Sequence, residues 1–191
     1  MSMENHPTVM WFNENLKNNA DESKPIAFSY KTIKELARES GADDCGITDL
    51  SNPVLKDEKQ DLLSVYPKTK AIISLVTKLN RENVKCVSRS VSDHEFIQGF
   101  EKSNSVTKKL SVLLQNHEIK SLAPSAAFPM ETSKWPGKMW TIPHKTVAVA
   151  SGIGHLGHNR LLIHPDFGNF IVLGSILIDT AVSDYDTPLD Y

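Results

Sequence analysis

The chain has 191 residues, of which 40% are apolar and 23% charged, and this is the composition of an ordinary globular protein with one domain. A net charge of −2 gives no electrostatic reason to expect nucleic acid or an anionic membrane as a partner. No apolar run reaches membrane-spanning length and residues 1–19 lack a signal-peptide pattern, so we expect a cytoplasmic protein.

Helices and strands alternate along the first half of the chain. A helix is predicted at 29–40, because its apolar residues share one face and Gly41 is placed to end it. A short strand follows at 45–48. The apolar, β-branched run within 70–79 predicts a central strand that is covered on both faces.

The second half begins with the longest predicted helix. Ser92 and Glu95 have the spacing of a capping box, and apolar residues then recur at helical spacing as far as Asn116. We expect those apolar residues to lie in the core: Phe96, Phe100, Leu110, Leu113 and Leu114. A shorter helix is predicted at 143–151, with a proline at its first position and Gly152 after it.

The C-terminal part predicts a β-hairpin. Apolar runs at 161–163 and 170–178 flank a turn-rich hexapeptide, and they are expected to pair in an antiparallel manner. The chain is therefore predicted to form one α+β domain over 25–181. A loosely held N-terminal segment, 1–24, precedes it, and a polar tail, 182–191, follows it.

Two cysteines, Cys45 and Cys86, lie far apart in the sequence. A disulfide framework or a zinc site requires more cysteines at close spacing, and a [4Fe–4S] cluster requires four thiolates. We therefore expect two buried or half-buried thiols and no cluster held by this chain alone.

One segment is dense in glycine: Gly152, Gly154 and Gly157 satisfy the dinucleotide fingerprint G-x-G-x-x-G. That motif binds a pyrophosphate only at the start of a long helix, and Pro165 and Gly168 leave too few residues for one. A glycine-dense loop that binds no ligand is the plain alternative.

A longer pattern surrounds these glycines. It comprises Ile142-Pro143, Ala148-Val149-Ala150-Ser151-Gly152-Ile153-Gly154, Leu156-Gly157, Asn159, Leu161-Leu162-Ile163, Pro165, Gly168, Leu173-Gly174 and Asp179. In order and spacing this block resembles the one that precedes the ferredoxin cysteines in reductive dehalogenases and epoxyqueuosine reductases, which are corrinoid-dependent. The similarity extends over 118–190 and is weaker over 33–79.

The resemblance implies a nitroreductase-like fold, a sheet flanked by helices, that binds cobalamin in a cleft built partly by 152–159. A corrin is wide, flat and mostly apolar, with an amide fringe, so glycines would allow its close approach. The implied cofactor-binding residues are Gly152, Gly154, His155, Gly157, His158 and Asn159.

The histidines of this region leave several alternatives open. His155 and His158 are surface or capping residues, ligands of the cofactor's amides or nucleotide tail, or, for one of them, a lower axial ligand. A metal centre formed by His144, His155, His158 and His164 is a further alternative, although their spacing fits no ligand pattern held by a helix.

The chain departs from the resembled families in two respects. The relatives continue into cluster-ligating cysteines after the segment that corresponds to 187–191. The acid of the epoxyqueuosine reductases lies in an Asp-Ser-Ala-Pro segment, and the nearest match here is Ser121-Leu122-Ala123-Pro124, where serine is a poor general acid. Tyr66, Tyr185 and Tyr191 are candidates for the dehalogenase proton donor by residue type alone, and no catalytic residue is assigned.

Three functional classes therefore remain. The first is the cobalamin-binding domain of an oxidoreductase that acts on a small molecule, inactive until a missing domain or partner protein supplies the [4Fe–4S] clusters. The second is a non-catalytic corrinoid-binding or trafficking protein. The third is a flavin-binding nitroreductase-fold relative, or one without a cofactor. A homodimer is compatible with each, since nitroreductase-like domains often dimerise.

Overall fold

The computed structural model describes His6, Pro7, Met10 and residues 27–126 and 141–190. The helices are α1 (Tyr30–Ser40), α2 (Lys59–Val65), α3 (Arg81–Lys85), α4 (Arg89–Asn116) and α5 (His144–Ala150), with a 3-10 turn at Pro53–Leu55. The strands are β1 (Asp44–Asp49), β2 (Ala71–Lys78), β3 (Ser121–Leu122), β4 (His155–Leu156), β5 (Leu162–Ile163) and β6 (Ile171–Ile178). The protein is thus a mixed helix and sheet structure, as predicted.

Four strands form an antiparallel sheet in the order β1-β2-β6-β3. Strand β2 lies inside it and pairs along its whole length with β6, from Ala71 opposite Ile178 to Lys78 opposite Ile171. Its first seven residues are buried. The central strand predicted within 70–79 is confirmed, because a β-branched apolar run of this kind suits a strand covered on both faces.

Helices cover both faces of the sheet. On one face Ile47, Ile73 and Ile176 pack with α1 and α4. On the other face Ile72 and Leu177 pack with α5, α2 and the 3-10 turn. Alternate side chains of each strand therefore pack into two separate hydrophobic cores, one on each face of the sheet. None of the helices in the described part of the chain combines the length and the apolar character that crossing a membrane requires.

The predicted end of α1 is confirmed, whereas the predicted start of α4 is wrong. Ser29 accepts a hydrogen bond from the Thr32 amide, and Gly41, with φ of 100°, ends α1 where the sequence indicated. Helix α4 begins at Arg89, three residues before the predicted start. The reason is that Glu95 does not form a capping box with Ser92, but accepts hydrogen bonds from the Asn80 amide and the Asn83 side chain.

The face of α4 that meets the sheet consists largely of small residues. Gly99, Ser103 and Thr107 are buried there, followed by Leu110 and Leu114. The expectation that Phe96 belongs to the core is wrong, since 42% of its surface is exposed. Small side chains let the long helix approach the sheet closely, and they carry little hydrophobic signal in the sequence.

The predicted pairing of the C-terminal strands is wrong. Strand β5 pairs with β4, with His155 opposite Ile163 and Leu156 opposite Leu162, in a separate two-stranded sheet. Strand β6 joins the main sheet instead. An apolar strand of eight residues gains more by pairing with buried β2 than with a two-residue neighbour, so β5 forms its hairpin with the preceding segment.

The tail predicted to be loosely held is anchored at its start. Val182 is buried and forms an isolated parallel bridge with Phe28. The Val182 amide donates to the Tyr185 hydroxyl, and the Asp186 amide donates to the Ile47 carbonyl. Composition alone does not predict these contacts, because they depend on partners such as Ile47 that are distant in the sequence.

Candidate functional site

The glycine segment begins at the C-terminal end of α5. Ser151 follows the helix, and Gly152 has a φ of 69°, a left-handed conformation that glycine adopts without strain. The Ile153 amide donates to the Ala148 carbonyl at 2.9 Å, which satisfies one of the last helical carbonyls. The end of the helix predicted at this point is confirmed.

The three glycines approach other parts of the same chain. A Cβ on Gly152 would lie 2.5 Å from the Thr187 carbonyl oxygen, and one on Gly157 would lie 2.8 Å from Cδ1 of Ile163. A Cβ on Gly154 would overlap the Ile163 carbonyl oxygen. At each glycine, the position that a Cβ would occupy is therefore filled by another part of the chain. Cofactor contact by this segment stays a prediction.

Beyond Gly154 the segment forms the β4–β5 hairpin, and hydrogen bonds stabilise its turn. The Gly157 amide donates to the Leu161 carbonyl at 2.9 Å, and the Leu161 amide donates to Oδ1 of Asn159 at 3.1 Å. Lys145 on α5 donates to the Arg160 carbonyl at 2.8 Å. Asn159, a predicted cofactor ligand, thus has a structural part in the turn.

Two exposed apolar side chains of this hairpin lie on opposite faces, because Leu162, the neighbour of Leu161, pairs with Leu156. Leu156 is 49% exposed and Leu161 is 41% exposed, and His158 between them is exposed as well. We call His158 and Leu161 the hairpin surface. His155 lies in β4 and is partly buried.

The other two histidines of the region lie in separate buried networks. Nδ1 of His164 accepts hydrogen bonds from the Asp166 and Phe167 amides, so Nε2 carries the proton and donates to Asp44 at 3.0 Å. The His164 ring also stacks on Phe167, with ring centroids 4.5 Å apart. This arrangement fixes the loop after β5 against the start of β1.

His144 is the buried first residue of α5, and its Nδ1 lies 2.9 Å from the hydroxyl oxygen of Ser175 in β6. Burial lowers the pKa of His144 to about 4, although a backbone hydrogen bond with Ser125 opposes the shift. The imidazole is therefore neutral at physiological pH. In the described residues, no three His, Cys, Asp or Glu side chains are grouped as metal ligands would be, so the four-histidine centre does not form.

A cleft of about 380 Å³ lies between α1 and the start of β1. This volume is at the low end of the range for small-molecule sites. Cys45 lines it, and burial raises the pKa of this thiol to about 11, so it is protonated at neutral pH and is a weak nucleophile.

Two of the residues that line this cleft, Tyr30 and Lys34, bond to Asp186. The Tyr30 hydroxyl donates to Oδ1 of Asp186 at 2.5 Å, and Lys34 lies 2.9 Å from Oδ2. Burial and the bond to Asp186 raise the pKa of Tyr30. Burial alone would lower the pKa of Lys34, but the bond to Asp186 raises it overall. Tyr30 and Lys34 have helical i, i+4 spacing, whereas no local signal points to Asp186.

Neither the models of known protein families nor the sequences of curated proteins match this chain. Solved structures do. Epoxyqueuosine reductase bound to a tRNA-Tyr stem loop is 16% identical and gives a TM-score of 0.54, over 84% of this chain and 47% of that one. Epoxyqueuosine reductase from Streptococcus thermophilus is 17% identical and also gives 0.54, over 84% and 48%.

The catabolic reductive dehalogenase NpRdhA gives a TM-score of 0.64 at 13% identity, over 84% of this chain and 22% of that one. The chain has the fold of these reductases. The resemblance predicted from the sequence is confirmed at the level of fold. The chain spans about half the length of the epoxyqueuosine reductases and about a fifth of the dehalogenase.

Two of the three tyrosines considered as reductase proton donors, Tyr66 and Tyr185, lie in packed positions. The Tyr185 hydroxyl accepts a hydrogen bond from the Val182 amide at 3.1 Å. Tyr66 packs against the core on the α5 side, and burial, with a smaller effect of Asp179, raises its pKa. Tyr191 lies outside the described residues. Ser121 is in β3 opposite Ile178, where its hydroxyl has no acidity to offer near neutral pH.

Proposed function

We propose that this chain is the corrinoid-binding part of an iron–sulfur-dependent reductase with a nitroreductase-like fold, and that it does not turn over alone. The observation that carries the proposal is the shared fold over 84% of the chain with two classes of reductase. One solved dehalogenase of this fold, with a TM-score of 0.56 and 14% identity over 84% of this chain, is described as B12-dependent.

The hairpin surface has the chemistry that a corrin needs. Leu161 offers exposed apolar area to the flat ring, and the His158 imidazole can hydrogen bond to a peripheral amide. When bound, the cobalamin would supply the redox chemistry of its cobalt. The part of this chain is to hold and orient the ring, and the fixed turn at 157–161 makes the surface rigid enough to do so.

The electrons must come from another domain or protein. A [4Fe–4S] cluster takes four thiolates, while this chain has only Cys45 and Cys86. The Cys45 thiol is protonated near neutral pH, so it is also a poor cluster ligand. The substrate is a small molecule, and reduction of an epoxide is disfavoured because Ser121 is the nearest match in the sequence to the acid of the epoxyqueuosine reductases.

A binding titration tests the cofactor assignment. Purified protein is titrated with hydroxocobalamin by equilibrium dialysis and visible absorbance, with flavin mononucleotide in a parallel series. The Leu161→Glu variant should weaken cobalamin binding at least about tenfold, the effect of placing a charge against an apolar ring. Val112→Glu is the matched control, since Val112 is 45% exposed and Leu161 is 41% exposed.

Binding of flavin instead of cobalamin would refute the assignment, and so would equal cobalamin affinity in both variants. A second assay tests the dependence on an electron donor. The cobalamin-loaded chain and a halogenated phenol are incubated with reduced ferredoxin or with a titanium(III) reductant. We expect no turnover with ferredoxin and slow dehalogenation with titanium(III). Rapid turnover with ferredoxin would show that this chain needs no cluster module.

A further inference from the structure

Asp186 bonds to three residues of two elements, α1 and β1. Its Oδ1 accepts from the Tyr30 hydroxyl at 2.5 Å, and its Oδ2 accepts from the Ile47 amide at 2.7 Å and lies 2.9 Å from the Lys34 ammonium. The Asp186 amide also donates to the Ile47 carbonyl at 2.8 Å. Asp186 thereby hydrogen bonds to both the amide and the carbonyl of Ile47, on the outer edge of β1.

The next residue reaches the glycine segment. The carbonyl oxygen of Thr187 would lie 2.5 Å from a Cβ on Gly152, and Cβ of Asp186 would lie 3.8 Å from it. On the other side, a Cβ on Gly46 would lie 2.8 Å from Cβ of Ser151. Three backbones therefore converge at one point: β1 at 46–47, the end of α5 at 151–152, and the tail at 186–187.

The glycine segment connects this point to the hairpin. After Gly152 the chain passes through Ile153, which is buried, to Gly154, which packs against the backbone of Ile163 in β5. A shift of the tail away from Gly152 would remove the contact that limits the position of this turn.

We propose that the tail at 186–187 is a clasp, and that Asp186 is a positioning residue for the glycine segment and hence for the hairpin surface. The importance of the hairpin surface rests on the proposed function, whereas the clasp itself does not. The carboxylate is suited to this task because two of the three groups that bond to it belong to α1 and the third is the Ile47 amide of β1, so loss of its charge weakens its bonds to both elements.

Amide hydrogen exchange of the full chain distinguishes a clasp from a residue that only stabilises the fold. In Asp186→Asn, exchange of the Ile153 amide, which donates to Ala148, should accelerate at least about tenfold, because charged hydrogen bonds are lost locally. The Ile73 amide in the central strand should keep its rate under native conditions. Tyr30→Phe, which removes one bond to Asp186, should give a smaller acceleration at Ile153.

Asp184→Asn is the matched control, because Asp184 is exposed and its carboxylate accepts from the neighbouring Tyr185 amide. It should leave the exchange at Ile153 unchanged. Equal acceleration at Ile153 and Ile73 in Asp186→Asn would show a general loss of stability and overturn the clasp, as would no acceleration at Ile153. This readout needs no cofactor, so its failure is separate from a failure of the cobalamin titration.

Discussion

Lowering the pH from 7 to 5 should destabilise this protein through His144. Burial holds the pKa of this imidazole at about 4 in the folded state, against an ordinary value of 6.5. The unfolded chain therefore takes up a proton that the folded chain excludes, and stability is lost as the pH falls from about 6.5 towards 4. The full effect is about 3 kcal/mol, of which about 2 kcal/mol falls between pH 7 and pH 5.

Urea unfolding followed by circular dichroism at pH 7, 6 and 5 measures this loss. His144→Asn keeps a hydrogen-bonding group near the Ser175 hydroxyl but does not titrate, so it should lose much less stability over the same range. His158→Asn removes an exposed histidine and should behave as the wild type. Asp43 and Glu95 have lowered pKa values and act below this window. Equal losses in the wild type and His144→Asn would refute the reasoning.

Three further predictions concern single side chains. Gly154→Val should lower the free energy of unfolding by about 2 kcal/mol or more in urea, because its Cβ would overlap the Ile163 carbonyl. An unchanged free energy of unfolding would contradict this close contact. Glu95→Ala should cost about 1 kcal/mol in the same assay through its lost bonds to α3, and an unchanged midpoint would contradict these bonds. At pH 8 a thiol reagent should label Cys86 well before buried Cys45 in the folded protein, and it should label both cysteines quickly in denaturant. Equal labelling rates of the two cysteines in the folded protein would disprove the burial of Cys45.

Local patterns predicted the elements whose limits are set within a few residues. The helix Tyr30–Ser40 has its own cap and its own glycine stop, and Ala71–Lys78 has a continuous apolar run. The start of α4 could not be read in this way. Glu95 has the right spacing to cap its own helix, but bonds instead to Asn80 and Asn83, a choice that depends on tertiary contacts.

The glycine segment shows a second limit of sequence reasoning. A glycine that allows close approach is compatible with a ligand and equally with another part of the chain. The residues that pack against Gly154 and Gly152 are Ile163 and Thr187, and neither carries a sequence signal that marks it as their partner. The same holds for the pairing of β6 with β2 over that with β5, since strand partners are chosen by burial across the whole sheet.

The occupied edge of β1 bears on how the protein behaves at high concentration. A bare strand edge is a template on which another chain can add a strand, and this is a common route to aggregation. Here the Cys45 carbonyl accepts from Lys34 at 2.5 Å, and Asp186 takes both main-chain groups of Ile47. Two charged side chains thereby shield this edge from intermolecular strand addition, and loss of either one would expose it.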